Sequence, residues 1–64
     1  MDKLKIIETA ANYAWNHTEE EFEDMLRREA SKDTEEKIIW EALLSACLAD
    51  LLDDKWVEDH QTID

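Results

Sequence analysis

Apolar residues recur at helical spacing through the first half of the chain. One seam of this pattern is formed by Leu4, Ala11, Thr18 and Met25, which follow one another at heptad spacing. A turn between two helices usually shifts such a phase. The pattern therefore predicts one long first helix from about residue 3 to residue 30.

A competing signal lies in the middle of that segment. Thr18 is followed three residues later by Glu21, which is the arrangement of a capping box at the start of a new helix. If this signal prevails, the long helix breaks near residues 16–18 and the chain contains three separate helices. We keep this as the alternative and favour the continuous helix.

A polar stretch, Ser31-Lys32-Asp33-Thr34, predicts a turn and a cap for the next helix. The following segment, 38–52, is apolar except for Glu41, Ser45 and Asp50. It predicts a second helix over about residues 35–55, with Asp53 and Asp54 near its C-terminal end, where acidic residues are unfavourable. The polar tail, residues 57–64, is expected to fray.

The second helix is apolar on nearly every side, which is typical of a buried helix. A single helical hairpin leaves part of it exposed, and exposed apolar patches mark interfaces. We therefore predict a homodimer in which two hairpins form a four-helix bundle. The predicted self-interface comprises Ile39, Trp40, Leu43, Leu44, Cys47, Leu48, Leu51 and Leu52.

Composition supports an all-α fold. The chain has 64 residues with no Gly and no Pro, so it lacks the residues of tight hairpin turns. Its length predicts one domain over residues 1–64.

The single Cys excludes an internal disulfide and is typical of the reducing cytoplasm. The absence of a long apolar run argues against a signal peptide or a membrane span.

Charge narrows the classes of partner. Eighteen acidic and seven basic residues give a net charge of −11, which disfavours binding to nucleic acids and to anionic membranes. We expect a basic protein as the partner, although a high charge also keeps a small oligomer in solution. The predicted partner-binding residues are Trp15, Glu19, Glu20 and Glu23.

Candidate chemistry is sparse. His17 precedes Glu20 and Glu21 on a helix, but this order is the reverse of the Glu-x-x-His pattern of di-iron bundles, so we predict a solvated acidic surface and no metal site. Cys47 lies in the most apolar stretch and is expected to be a buried, inert thiol. The chain also looks too short to form a pocket of several hundred Å³. We predict no cofactor and no enzymatic activity.

Two functions then compete. The first is a non-enzymatic protein–protein interaction module. The alternative is mimicry of DNA, in which carboxylates replace phosphates and occupy the basic site of a nucleic-acid-binding protein. Mimicry predicts binding that weakens steeply with salt.

The stretch Ala10-Ala11-Asn12-Tyr13-Ala14-Trp15-Asn16-His17, followed by acidic residues from Glu19 to Asp24, resembles small early proteins of lambdoid phages. These are the proteins encoded between the exonuclease and excisionase genes. The similarity is one of size, acidity and general character, and it extends over most of the chain. It implies an early phage protein that modulates host factors during prophage development, in the host cytoplasm. It implies no catalytic residue.

Overall fold

The computed structural model describes residues 2–62 and contains four helices over that range. They are α1 (Lys3–Asn16), α2 (Glu19–Ala30), α3 (Lys37–Leu48) and α4 (Asp54–His60). Residues 2–62 include no strand, so the predicted all-α class is confirmed. The helices α2 and α3 form a hairpin, and α1 packs against both α4 and α2.

The predicted continuous helix over residues 3–30 is wrong, because the chain breaks at residues 17–18. Thr18 adopts an extended backbone, and its hydroxyl accepts a hydrogen bond from the Glu21 amide at 3.2 Å. In return, the Glu21 carboxylate accepts a hydrogen bond from the Thr18 amide at 2.9 Å. This capping box satisfies two amides that a new helix leaves unpaired, and it starts α2.

The heptad seam was misleading because it follows the buried face of α1 only in part. Leu4 is 62% exposed, whereas Ile6, Ala10 and Ala11 are buried. Of the four seam residues, Ala11 and Met25 are buried, whereas Leu4 and Thr18 are exposed, so only part of the seam coincides with the core. The phase across the break carries no information about a continuous helix.

The predicted helix over residues 35–55 is also interrupted. α3 ends at Leu48, and Asp50 takes a left-handed backbone with φ of 59°. The Leu51 amide donates to the Ala46 carbonyl at 2.8 Å, and the Asp50 amide donates to the Cys47 carbonyl at 3.0 Å. These two bonds form a Schellman motif, which normally carries glycine at the left-handed position. This chain contains no glycine and uses Asp50 there.

Part of the predicted frayed tail is helical. α4 covers residues 57–60 of that segment, and it begins at Asp54 after an N-cap by Asp53. The Asn12 side chain fixes the chain beyond α4: its oxygen accepts from the Thr62 amide at 2.6 Å, and its nitrogen donates to the Thr62 hydroxyl at 3.1 Å. The last two residues of the predicted tail, 63 and 64, lie outside the described residues.

The hydrophobic core lies between the α2–α3 hairpin and α1. Its buried side chains come from three helices, and Leu26 of α2 is fully buried. Leu52 and Trp56 also pack against this core, because the turn after α3 redirects the chain towards α1. Along residues 2–62, no helix combines the length and hydropathy that a membrane span requires.

Candidate functional site: an acidic groove

An open groove of about 500 Å³ lies where the ends of all four helices meet. The residues that line this acidic groove are Ala14, His17, Glu19, Glu20, Phe22, Glu23, Cys47, Asp50, Leu52, Asp53, Asp54 and Val57. The expectation that so short a chain cannot form a pocket of several hundred Å³ is therefore wrong. Short helices whose ends converge without filling the space between them leave this concavity.

Six carboxylates surround the groove. Glu19, Glu20 and Glu23 come from the first half of α2, and Asp50, Asp53 and Asp54 come from the turn after α3 and the start of α4. Among residues 2–62, no Lys or Arg lines the groove. The fold thus joins two acidic clusters that are far apart in the sequence and gives one strongly negative concave surface.

The floor of the groove is apolar. Phe22 is buried in the core, and Leu52, Val57 and Ala14 are half-buried along the lining. Such a floor gains free energy when an apolar group covers it, at roughly 25 cal/mol per Å² removed from water. The groove therefore combines an acidic rim with a surface that favours apolar contact.

The pKa of the Cys47 thiol is affected by its burial and by the negative charge of the groove. Burial raises the pKa of Cys47 above its ordinary value, and the carboxylates of Glu23, Glu19 and Asp50 raise it further. Arg27 acts in the opposite direction. The side chain is half-buried rather than fully buried, and its raised pKa keeps it protonated and weakly nucleophilic at neutral pH.

Two of the six carboxylates have structural roles. Asp53 caps α4 by accepting a hydrogen bond from the Trp56 amide at 3.0 Å, and Glu23 pairs with Arg27 at 3.5 Å. Asp53 and Asp54 therefore lie at the favourable, positive end of α4, not at the negative end of a long second helix. The sequence-based placement of these two residues is corrected.

The other four carboxylates have no ion-pair partner within residues 2–62: they are Glu19, Glu20, Asp50 and Asp54. All four are exposed. A cationic ligand can therefore reach them without first breaking a salt bridge inside the protein.

His17 forms one edge of the groove and is held in place by its own helix. Its ring stacks on Tyr13 with a centroid separation of 3.7 Å, and its Nδ1 is 2.8 Å from the Tyr13 carbonyl oxygen. Trp56 and His60 repeat this arrangement at the end of α4. In the part of the chain that the structure describes, no cluster of three His, Cys, Asp or Glu side chains is arranged to hold a metal ion.

The predicted partner-binding residues separate into two groups. Glu19, Glu20 and Glu23 all line the acidic groove. Trp15 is 52% exposed but is not part of the lining. Sequence reasoning missed Asp50, Asp53 and Asp54 as members of the same surface, because only the α3–α4 turn brings them beside α2.

Most of the predicted self-interface residues lie in or against the core of the single chain. Trp40 and Leu43 are buried in the core of the single chain. Four more pack against that core, namely Ile39, Leu44, Cys47 and Leu52. Leu48 and Leu51 are 53% and 71% exposed. One copy of the chain therefore covers most of the apolar surface that was expected to need a second copy.

A second, smaller cavity of about 200 Å³ lies near the start of α1. Trp40 lines it, and its buried indole Nε1 has no hydrogen-bond partner among the described residues. A buried donor without an acceptor destabilises the fold by about 1–3 kcal/mol. Nothing else in this cavity suggests a ligand.

Comparison of the chain with protein-family models, curated proteins and solved structures gives no match.

Proposed function

We propose that this chain is a non-enzymatic protein-binding module whose acidic groove receives a basic, amphipathic segment of a partner protein. The observation that carries the proposal is the convergence of six carboxylates around an apolar floor, with no Lys or Arg among the described residues of the lining. Each half of this surface comes from a different part of the chain, so it exists only in the folded state.

The chemistry of the groove favours a particular kind of segment. A helix with Lys or Arg along its flanks and Leu-like residues on one face would place cations against the rim and apolar atoms against Leu52 and Val57. The rim charges accelerate association and exclude acidic competitors. The apolar floor supplies affinity that salt does not screen.

The resemblance to early proteins of lambdoid phages suggests the setting for this activity. If the chain acts in phage development, the partner is a basic protein of the bacterial host, and the meeting place is the host cytoplasm. We also propose that the protein acts as a homodimer; the surface that would join the two copies is treated below.

The test measures binding of a Leu/Lys peptide whose leucines repeat at helical spacing. A triple variant, Glu19→Gln, Glu20→Gln and Asp54→Asn, removes three groove carboxylates that have no ion-pair partner within residues 2–62. We expect it to bind the peptide at least about tenfold more weakly than the wild type, by titration calorimetry.

A matched control neutralises three exposed carboxylates outside the groove, by Asp33→Asn, Glu35→Gln and Glu58→Gln. It changes the net charge by the same amount and should bind nearly as well as the wild type. Equal weakening in both triple variants would contradict a groove site and leave only a general effect of charge.

The DNA-mimic alternative gives a different outcome in the same assay. A scrambled peptide with the same composition keeps its charge but loses its apolar face. If the protein binds the scrambled peptide as tightly as the amphipathic one, and both complexes dissociate with modest salt, charge alone is recognised. The apolar floor predicts that the amphipathic peptide binds more tightly and retains part of its affinity in salt.

A further inference from the structure

Within residues 2–62, no other element covers the outer face of α3. This face, which we call the α3 outer face, consists of Ile38, Ala42, Ser45 and Ala49, with Leu48 beside it. All five residues are exposed, and Ile38 is 77% exposed. Large apolar side chains with this exposure on a small domain mark an association surface.

The charge distribution indicates what can cover it. Within α3 the charged residues are Lys37 and Glu41, which pair with each other at 3.8 Å. They sum to zero, so the whole net charge of −11 resides outside α3. A second copy of the chain is repelled by most of the surface and is repelled least at the α3 outer face. The nearest carboxylates in the sequence that form no ion pair within residues 2–62, Glu36 and Asp50, lie beyond the two ends of the helix.

The spacing along the face also matches a second copy. From Ile38 to Ala42, Ser45 and Ala49 the steps are four, three and four residues, which read the same in both directions. This spacing, which is common to one face of any α-helix, is compatible with a two-fold axis between two antiparallel helices. In such a pair, Ala42 lies opposite Ser45 of the second copy, and the bulky Ile38 lies opposite the small Ala49, as close packing favours.

We propose that two copies associate through their α3 outer faces in an antiparallel, two-fold symmetric pair. The proposal differs from the interface expected from the sequence, because it uses the side of α3 that faces away from the chain's own core. It is independent of the acidic groove, which lies at the helix ends.

The size of the surface sets the expected strength. A helix of 12 residues is about 18 Å long, and one such helix pair buries less area than a standard interface of about 1,200–2,000 Å². The dimer should therefore be weak and should dissociate on dilution. This behaviour distinguishes it from an obligate four-helix bundle, whose subunits do not separate while folded.

The test is sedimentation equilibrium of the full chain over a wide range of concentration, in moderate salt. We expect the average mass to rise from 7.6 kDa towards twice that value. Ala42→Glu places a charge beside the two-fold axis and should weaken the dimer at least about tenfold. Thr9→Glu adds the same charge at an exposed position of α1 and should leave the dimer unchanged.

Far-UV circular dichroism of both variants checks that the helices remain folded. A wild-type mass that stays at 7.6 kDa throughout, or a folded Ala42→Glu variant that dimerises like the wild type, overturns the proposal. The groove variant with Glu19→Gln, Glu20→Gln and Asp54→Asn should dimerise normally. A loss of dimerisation can thus be assigned to the α3 outer face, and a loss of peptide binding can be assigned to the acidic groove.

Cross-linking tests the orientation of the pair. In a Cys47→Ala background, a chain with Ile38→Cys mixed with a chain carrying Ala49→Cys should form a mixed disulfide on oxidation. The Ala49→Cys chain alone should not cross-link to itself, because the antiparallel register separates those two positions by more than a disulfide spans. Efficient self-cross-linking at position 49 would indicate a parallel pair and overturn the proposed register.

Discussion

The α2–α3 hairpin and the α1–α4 pair are held together in different ways. In the hairpin, both helices contribute buried side chains to the core, including Leu26 from α2 and Trp40 from α3. In the other pair, α1 contributes buried residues, whereas α4 contributes none that is fully buried. α4 relies on the partial burial of Trp56 and on the two hydrogen bonds between Asn12 and Thr62.

The two helix pairs also differ in how far apart their contacting residues lie in the sequence. α2 and α3 are joined by six residues, 31–36, whereas the hydrogen bonds from Asn12 to Thr62 span 50 positions. Closing a longer loop is entropically more expensive, though only slowly so with length. With little burial to offset that cost, α4 is the element expected to open first. We therefore expect the hairpin to determine global stability and the α1–α4 pair to open locally.

The largest expected effect follows from truncating the hairpin core. Leu26 has an exposed fraction of 0%, and Leu26→Ala should reduce the free energy of unfolding by about 3 kcal/mol. Urea denaturation followed by circular dichroism measures the loss. Leu51→Ala makes the same chemical change at a residue that is 71% exposed and should have almost no effect. Similar losses in both variants would contradict the assigned core.

A smaller and local effect is expected at the α1–α4 pair. Asn12→Ala removes both side-chain hydrogen bonds to Thr62 and should lower the stability of the α4 region by about 1–2 kcal/mol. Hydrogen exchange should show faster exchange for α4 amides and little change in α2 and α3. Asn16→Ala, where the side chain bonds only within α1, is the control. Equal acceleration in the hairpin would show that the two helix pairs unfold as one unit.

The smallest effect concerns acid stability. The hydrogen bond from the Thr18 amide lowers the pKa of Glu21 below its usual value. Because the folded-state pKa lies below that of the unfolded chain, this contribution is complete above the unfolded pKa and disappears as pH falls through the folded one. Glu21→Gln should make the acid branch of the stability profile shallower. Glu20→Gln, whose carboxylate lies outside the capping box, should leave the contribution of Glu21 intact.

Local capping chemistry predicted the helix boundaries better than long-range phase did. The capping box at Thr18 and Glu21 was visible in the sequence, and the structure uses it. The heptad argument failed because Leu4 faces solvent. Asp53 is the N-cap of α4 in the structure, whereas the sequence pattern predicted it near the C-terminal end of a longer second helix. The Schellman turn could not be predicted from the sequence, because Asp50 occupies the position where glycine is the recognisable signal.

Only half of the carboxylates of the acidic groove were predicted from the sequence as binding residues. Glu19, Glu20 and Glu23 were predicted to bind a partner, whereas Asp50, Asp53 and Asp54 were not assigned to a binding surface. The sequence does not indicate that these two groups of carboxylates lie close together, because the distance between them depends on the angle of the α3–α4 turn. The apolar floor was hidden for the same reason, since Leu52 and Val57 reach it only after that turn.

Cys47 gives the protein a ready-made attachment point for chemical probes. It is the only thiol in the chain, and it lines the acidic groove. A photoreactive maleimide would therefore label one position, inside the proposed binding surface, without an engineered cysteine. Because burial raises the thiol pKa, alkylation should be slow at neutral pH and accelerate under mildly alkaline conditions. Illumination would then attach the occupant of the groove covalently at a known residue, where peptide mass spectrometry can read it.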